Sequence, residues 1–158
     1  MKRILIVSIV LLLLAWCSVA RAVECTQSLV GIRDHQTQIV GKYELTFVCT
    51  ASSSDATYTP TPISAANLAR LATFFLYRAE TAPGSTPPQD QYDITVVNAN
   101  GVDVVGALLM NRSRTSVQDV LLAPASGYYQ IGSSGLTVTP TGNNVNSAAF
   151  TLTLEFTK

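Results

Sequence analysis

The chain predicts an all-β fold: a single β-sandwich, immunoglobulin-like or jelly-roll-like, of about seven to nine strands after an N-terminal signal peptide. Three observations carry this. Charged residues make up 13% of the chain, about half of the ~25% usual for globular domains. Thr, Ser, Val, Ala and Leu dominate. A helical bundle needs Glu, Lys and Arg on its solvent faces, where a β domain uses Thr, Ser and Asn instead. Finally, short runs with apolar residues at every second position alternate with Pro, Gly and Asn clusters along most of the chain, the pattern of half-buried strands joined by turns.

The N-terminus reads differently. Met1-Lys2-Arg3 is a short positive segment, Ile4 to Trp16 is apolar except for Ser8, and Ala20-Arg21-Ala22 places small residues before a cleavage point. This predicts a secretory signal peptide, residues 1–22, cut after Ala22 to leave a sandwich domain over residues 23–158. The apolar run of 13 residues falls short of the ~20 needed to span a bilayer, which disfavours a retained anchor. Trp16 before Cys17 disfavours a lipidation site. The expected destination is export, periplasmic or extracellular. Cleavage leaves seven basic and ten acidic residues, a net charge of −3. That argues against a nucleic-acid partner, which demands a basic face, and against stable membrane association through a polybasic patch.

Two cysteines remain after the signal, Cys25 and Cys49. An even number in an oxidising compartment points to a disulfide rather than two free thiols. Its loop of 23 intervening residues would be worth roughly 3 kcal/mol on the chain-entropy argument.

In chain order, Leu29-Val30-Gly31-Ile32 is a short strand and His35 lies in a polar connection. The clearest early strand is Tyr43 to Cys49, with Tyr43, Leu45, Phe47 and Cys49 on one face. Pro60 and Pro62 close a Ser/Thr/Pro loop. Residues 64–69 are compatible with a short helical turn, and a strand is expected from about 71 to 80. Ala82-Pro83-Gly84-Ser85-Thr86-Pro87-Pro88 is a breaker expected to cross the outside of the domain, since proline cannot donate within a sheet. Further strands are expected at residues 117–122, 128–131 and 136–139. The last strand is strong: Ala148, Phe150, Leu152, Leu154 and Phe156 share one face, and Thr151, Thr153, Glu155 and Thr157 the other.

Residues 91–112, QYDITVVNANGVDVVGALLMNR, carry the most specific local pattern. Tyr92-Asp93-Ile94-Thr95-Val96-Val97 reads as a strand. Asn100-Gly101 supplies a hairpin turn, because both residues tolerate positive φ. Val102-Asp103-Val104-Val105 then reads as the returning strand. Tyr92, Asp93, Asn100, Gly101 and Asp103 are the signature of this hairpin.

The chemical inventory is thin, and no enzyme is expected. His35 is the one histidine, and nothing around it resembles a nucleophile elbow. No Cys/His cluster has zinc spacing, and no Gly-rich phosphate loop links a strand to a helix. Asp90 with Asp93, or Asp93 with Asp103, could pair as acid and base, but a solvated face and a turn anchor explain them with less. Residues 98–103 partly mimic a calcium loop, without its opening acidic residues or closing Glu. Asn111-Arg112-Ser113 is formally a glycosylation sequon. Of Tyr128-Tyr129, at most one could serve as a carbohydrate platform, because strand neighbours point to opposite faces. No cofactor, metal or catalytic residue is assigned.

Phe75-Leu76-Tyr77-Arg78, the Pro-Gly connection 82–88, Tyr92-Asp93-Ile94, Asn100-Gly101-Val102-Asp103-Val104, Gly106 and Asn111-Arg112-Ser113 form an ordered series. Over residues 40–158 this series resembles small phage-encoded structural proteins of virions. The resemblance implies a non-enzymatic β-sandwich acting through protein–protein contacts, with itself or within a virion. A signal peptide and the Cys25/Cys49 pair depart from those proteins. The other expectation is an exported module that binds carbohydrate or a surface receptor.

Overall fold

A computed structural model describes residues 25–33, 39–122, 129–132 and 135–158. The expected signal peptide, His35 and Tyr128 lie outside the described residues. The described strands are β1 (Thr26–Arg33), β2 (Val40–Thr50), β3 (Thr61–Pro62), β4 (Phe75–Pro83), β5 (Asp93–Asn98), β6 (Gln118–Leu121), β7 (Tyr129–Gln130), β8 (Leu136–Thr141) and β9 (Ala149–Thr157), with one short helix, α1 (Ala65–Leu71). They form two antiparallel sheets. The larger runs β1-β2-β9-β4-β6, with β7 also pairing β4, and the smaller runs β3-β8-β5. The all-β, sandwich-like architecture expected from composition and periodicity is the one observed.

β2 and β9 form the centre of the large sheet, paired from Lys42↔Thr157 to Thr50↔Ala149. Tyr43, Leu45, Phe47 and Cys49 are buried on β2, and Phe150, Leu152, Leu154 and Phe156 on β9. Each set occupies alternate positions, so each strand turns one face to the interior. Ile94 and Val96 of β5 and Leu136 and Val138 of β8 supply the buried side of the small sheet. Phe150 contacts aromatics from outside its own sheet. Its ring lies 5.3 Å from that of Tyr58, edge-on, and 5.3 Å from that of Tyr92, which directly precedes β5.

Cys25 and Cys49 stand at bonding distance, 2.05 Å between sulfurs. Thr26 pairs with Val48, so Cys25 lies across from Cys49 at the end of the β1–β2 ladder. Both cysteines are buried.

Three boundaries differ from expectation. The helix runs to Leu71, with the Ser64 hydroxyl accepting from the Asn67 amide at 3.3 Å as its N-cap, and the next strand therefore starts at Phe75 rather than 71. That strand also continues through Ala82 and Pro83, which pair with Thr151 and Phe150 of β9. β6 pairs only Arg78 to Thr81, so Pro83, which has no N–H, sits where β4 has lost its second neighbour. Gly84 follows because an added Cβ would come within 2.7 Å of the Ala149 carbonyl oxygen.

The hairpin is the third correction. Its turn forms, but as a three-residue loop, Ala99-Asn100-Gly101. The Asn98 amide donates to the Val102 carbonyl at 3.0 Å, and Gly101 alone in that loop has positive φ, +76°. The returning strand does not form. Beyond a Val97↔Asp103 bridge and a Val104-to-Val96 bond of 2.8 Å, residues 105–110 make tight turns. The Asp103 carboxylate causes this. It accepts from the amides of Val96 and Val105 at 3.2 Å each and of Ala107 at 2.9 Å. Caging three amides folds the chain back on itself locally instead of extending it. The chain regains β5 farther on, where Ile94 donates to the Leu109 carbonyl and Arg112 to that of Tyr92. Asp103→Ala is expected to cost about 2 kcal/mol, since it strands those amides. Denaturant titration would show this, and a change below a few tenths would remove Asp103 from its organising role.

Candidate interaction surface

The residues singled out around the hairpin are bound to their own backbone. Asp90 accepts from the Arg114 amide at 3.1 Å and Asp93 from the Asn111 amide at 2.8 Å. The Asn98 side chain accepts from the amides of Asn100 and Val102, and Asp103 is occupied as described. The structure therefore brings Asp93 and Asp103 to the same segment without converging them. The Asn98 and Asp103 oxygens of the calcium-like stretch accept from peptide N–H groups. Asn100 and Gly101 are exposed at the loop tip. Tyr92 is fully buried, and burial pushes its phenol up to about 12 despite the charge of Arg112. Arg112, its bridge partner, is also buried, and burial pulls its guanidinium below the usual value. Tyr92 Oη and Arg112 Nη1 have no hydrogen-bond partner. Tyr129, half-buried on β7, packs against the core and is no exposed platform.

The charged centre of the molecule lies elsewhere, on the outer face of the large sheet. Glu155 belongs to the Thr-rich face of β9, yet it is only 4% exposed. Glu44 of β2 and Arg78 of β4 are its cross-strand neighbours. The β4–β9 register shifts between Leu76 and Arg78, placing an extra residue against Glu155. Such a bulge re-aims side chains, and here Tyr77 and Arg78 both reach the same carboxylate. Tyr77 Oη donates to Oε2 and Arg78 Nη1 to Oε1, while Lys42 Nζ sits 2.6 Å from Oε2. Arg78 also holds Asp119 at 2.7 Å and Glu80 at 3.3 Å, and Lys42 reaches Glu44 at 3.2 Å.

The electrostatics follow from this geometry. Burial alone would raise the Glu155 carboxyl, but the hydrogen bonds from Lys42 and Tyr77 and the charges of Lys42 and Arg78 outweigh it and hold it below the usual range. For Lys42 the opposing effect of burial is likewise overcome by its bond to Glu155, and its ammonium stays above its usual value. A carboxylate pinned in the ionised form by two cations is ill-suited to proton transfer. It ties side chains of β2 and β4 to β9 through Lys42, Tyr77 and Arg78. Sequence placed Glu155 on the correct face, but its burial depends on a bulge and on partners 77 and 113 residues away, which no local pattern reveals.

Glu155→Gln is expected to destabilise by about 1–2 kcal/mol, because Lys42 and Arg78 lose their shared counter-charge but stay partly hydrated. The pH dependence has a definite sign. The folded-state pKa lies below the unfolded one, so the contribution is fully present above the unfolded value of about 4.5. It is lost as pH falls through the lower folded value. Thermal melts from pH 7 to pH 3 should fall less steeply for the variant. Parallel curves would show that Glu155 is not the group responsible.

One shallow groove, about 370 Å³, is lined by Tyr58, Pro60, Thr139, Pro140, Thr141 and Asn143 among others. Asn143 spends its amide on Ala56, Val145 and Gln89, and the Tyr58 hydroxyl donates to Ala148. Few polar groups remain to read a ligand. Among the described residues no cluster of three metal-binding side chains occurs, and no helix is long and apolar enough to cross a membrane. No protein family, curated protein or solved structure matches the chain.

Proposed function

We propose that the chain is a non-enzymatic structural or interaction protein, a virion-associated component of phage or prophage origin, that works through protein–protein contacts. The observation that carries the proposal is where its exposed apolar side chains lie. Val30 and Ile32 are on β1 at one edge of the large sheet, and Leu121 is on β6 at the other. Val102, Leu108 and Met110 lie on the irregular segment beside β5, the edge of the small sheet. Val48 is exposed on β2, inside the large sheet, but the apolar groups at the edges suit strand-to-strand or edge-to-surface association. Mass spectrometry of virions purified after induction of the strain carrying the gene tests the viral assignment. Stoichiometric presence supports it, and absence from virions rejects it.

The Cys25–Cys49 pair favours a second reading, an exported binding module, since disulfides persist in oxidising compartments. Among the described residues the groove beside Tyr58 is the candidate reader of carbohydrate, and its occupied Asn143 and Tyr58 groups make this the weaker version. Specific hits on a glycan array would reverse the order.

A further inference from the structure

Arg112 carries a charge that the described residues do not balance. It is 8% exposed, and a guanidinium stays protonated at any ordinary pH. The described ion pairs belong to Lys42 and Arg78, and Arg112 is in none of them. Asp90 and Asp93, close in sequence to its bridge partner Tyr92, accept instead from the amides of Arg114 and Asn111. Nε and Nη2 of Arg112 donate to the Met110 carbonyl at 3.3 and 3.1 Å, which satisfies those donors and neutralises nothing. Nη1 is buried and unpartnered, and so is the Tyr92 hydroxyl across the bridge. A buried charge without a counter-charge is strongly unfavourable. The backbone is unusual at the same place. Gln91 and Asn111, next to the two bridged residues, have φ of +65° and +54°, a region that residues other than glycine seldom enter. Strain of this kind gathers where ligands are clamped.

We infer that Tyr92 Oη and Arg112 Nη1 together hold one monatomic anion, chloride, at the bridge between residues 92 and 112. Directly opposed residues of an antiparallel pair project to one face, so both groups are within reach of a shared ligand. The guanidinium can only donate, and the phenol donates as readily as it accepts. Two donors on one face, one of them charged, are both satisfied by an acceptor that is itself negative. Water would meet the donors and leave the charge. Sulfate or a carboxylate would bring further oxygens that need donors of their own. The surroundings supply few: the Phe150 ring beside Tyr92 has none, and the Tyr58 hydroxyl is bonded to the Ala148 carbonyl. The ion fastens Arg112, and with it the irregular segment that ends there, to the approach to β5. Such a site would serve a virion component and an exported module alike.

The test is thermal unfolding of the full-length gene product in the processed form its host leaves, with intact mass fixing that form. Sodium chloride replaces sodium gluconate from about 1 to about 300 mM at constant ionic strength, so that screening is fixed while the ion varies. The melting temperature of the wild type is expected to rise by about 3–5 °C for each tenfold increase in chloride once the site begins to fill. Arg112→Met should abolish the rise. Tyr92→Phe, which keeps the ring against Phe150, should need about tenfold more chloride for the same rise. Arg114→Met, at an exposed position, should respond as the wild type does. The chloride NMR line should broaden with the wild type and less with Tyr92→Phe, a readout that does not depend on Arg112→Met folding. Equal melting temperatures in chloride and gluconate overturn the inference. A chloride response in Tyr92→Phe identical to that of the wild type puts the ion elsewhere and overturns it too. Stabilisation by acetate and not by chloride assigns the site to a carboxylate and overturns it likewise.

Discussion

Phe150→Ala is expected to lower folding stability by about 4 kcal/mol, within the range for emptying a buried phenylalanine site. Phe150 is 1% exposed, and its ring meets Tyr58 and Tyr92. Tyr58 comes from the loop before β3, and Tyr92 from the approach to β5. Removing the ring therefore opens a cavity between segments that no ladder joins to β9. Neither tyrosine can close it easily. The Tyr58 hydroxyl is bonded to the Ala148 carbonyl at 3.2 Å, and Tyr92 is fixed by the Arg112 backbone. Against a stability of roughly 5–15 kcal/mol for a domain of this kind, the loss is severe. Chemical denaturation of Phe150→Ala beside Phe150→Leu would measure it. A cost under about 1 kcal/mol would mean the site collapses and that Phe150 is not the link between the sheets.

Loss of the Cys25–Cys49 bridge is the second large effect, about 3 kcal/mol from the chain entropy released to the unfolded state. Reduction, or Cys25→Ala with Cys49→Ala, should lower the denaturation midpoint by a corresponding amount without changing the fold of the β2–β9 centre. The effect should concentrate at β1, whose strand pairing among the described residues is with β2. Hydrogen exchange should show β1 amides losing protection first, with β2 and β9 last. Uniform loss across the sheet would show that β1 is no separate unit.

The strands that were legible are those whose burial is set by neighbours in sequence. β2 and β9 announce themselves because alternate residues must enter one interior, and no other period fits Tyr43, Leu45, Phe47 and Cys49. The turn at 98–101 was legible for a related reason: Gly101 takes the positive φ the loop needs. The returning strand after it was misread because apolar alternation in Val102, Val104 and Val105 says nothing about where the Asp103 carboxylate finds its donors. Pro83 was misread because its cost depends on whether a neighbouring strand still needs its N–H, which is a fact about β6.

The sequence by itself determined an all-β chain, the strands with period-two burial, the tight turn and the two cysteines available for a bridge. Each follows from interactions within a few residues or from composition. Only the tertiary structure decided that β9 lies between β2 and β4, that Glu155 is buried beneath Lys42, Tyr77 and Arg78, and that β1 ends the large sheet among the described residues. These depend on which strands become neighbours. That choice is made by long-range pairing and by how two apolar faces close over one interior, and no short stretch of sequence encodes it.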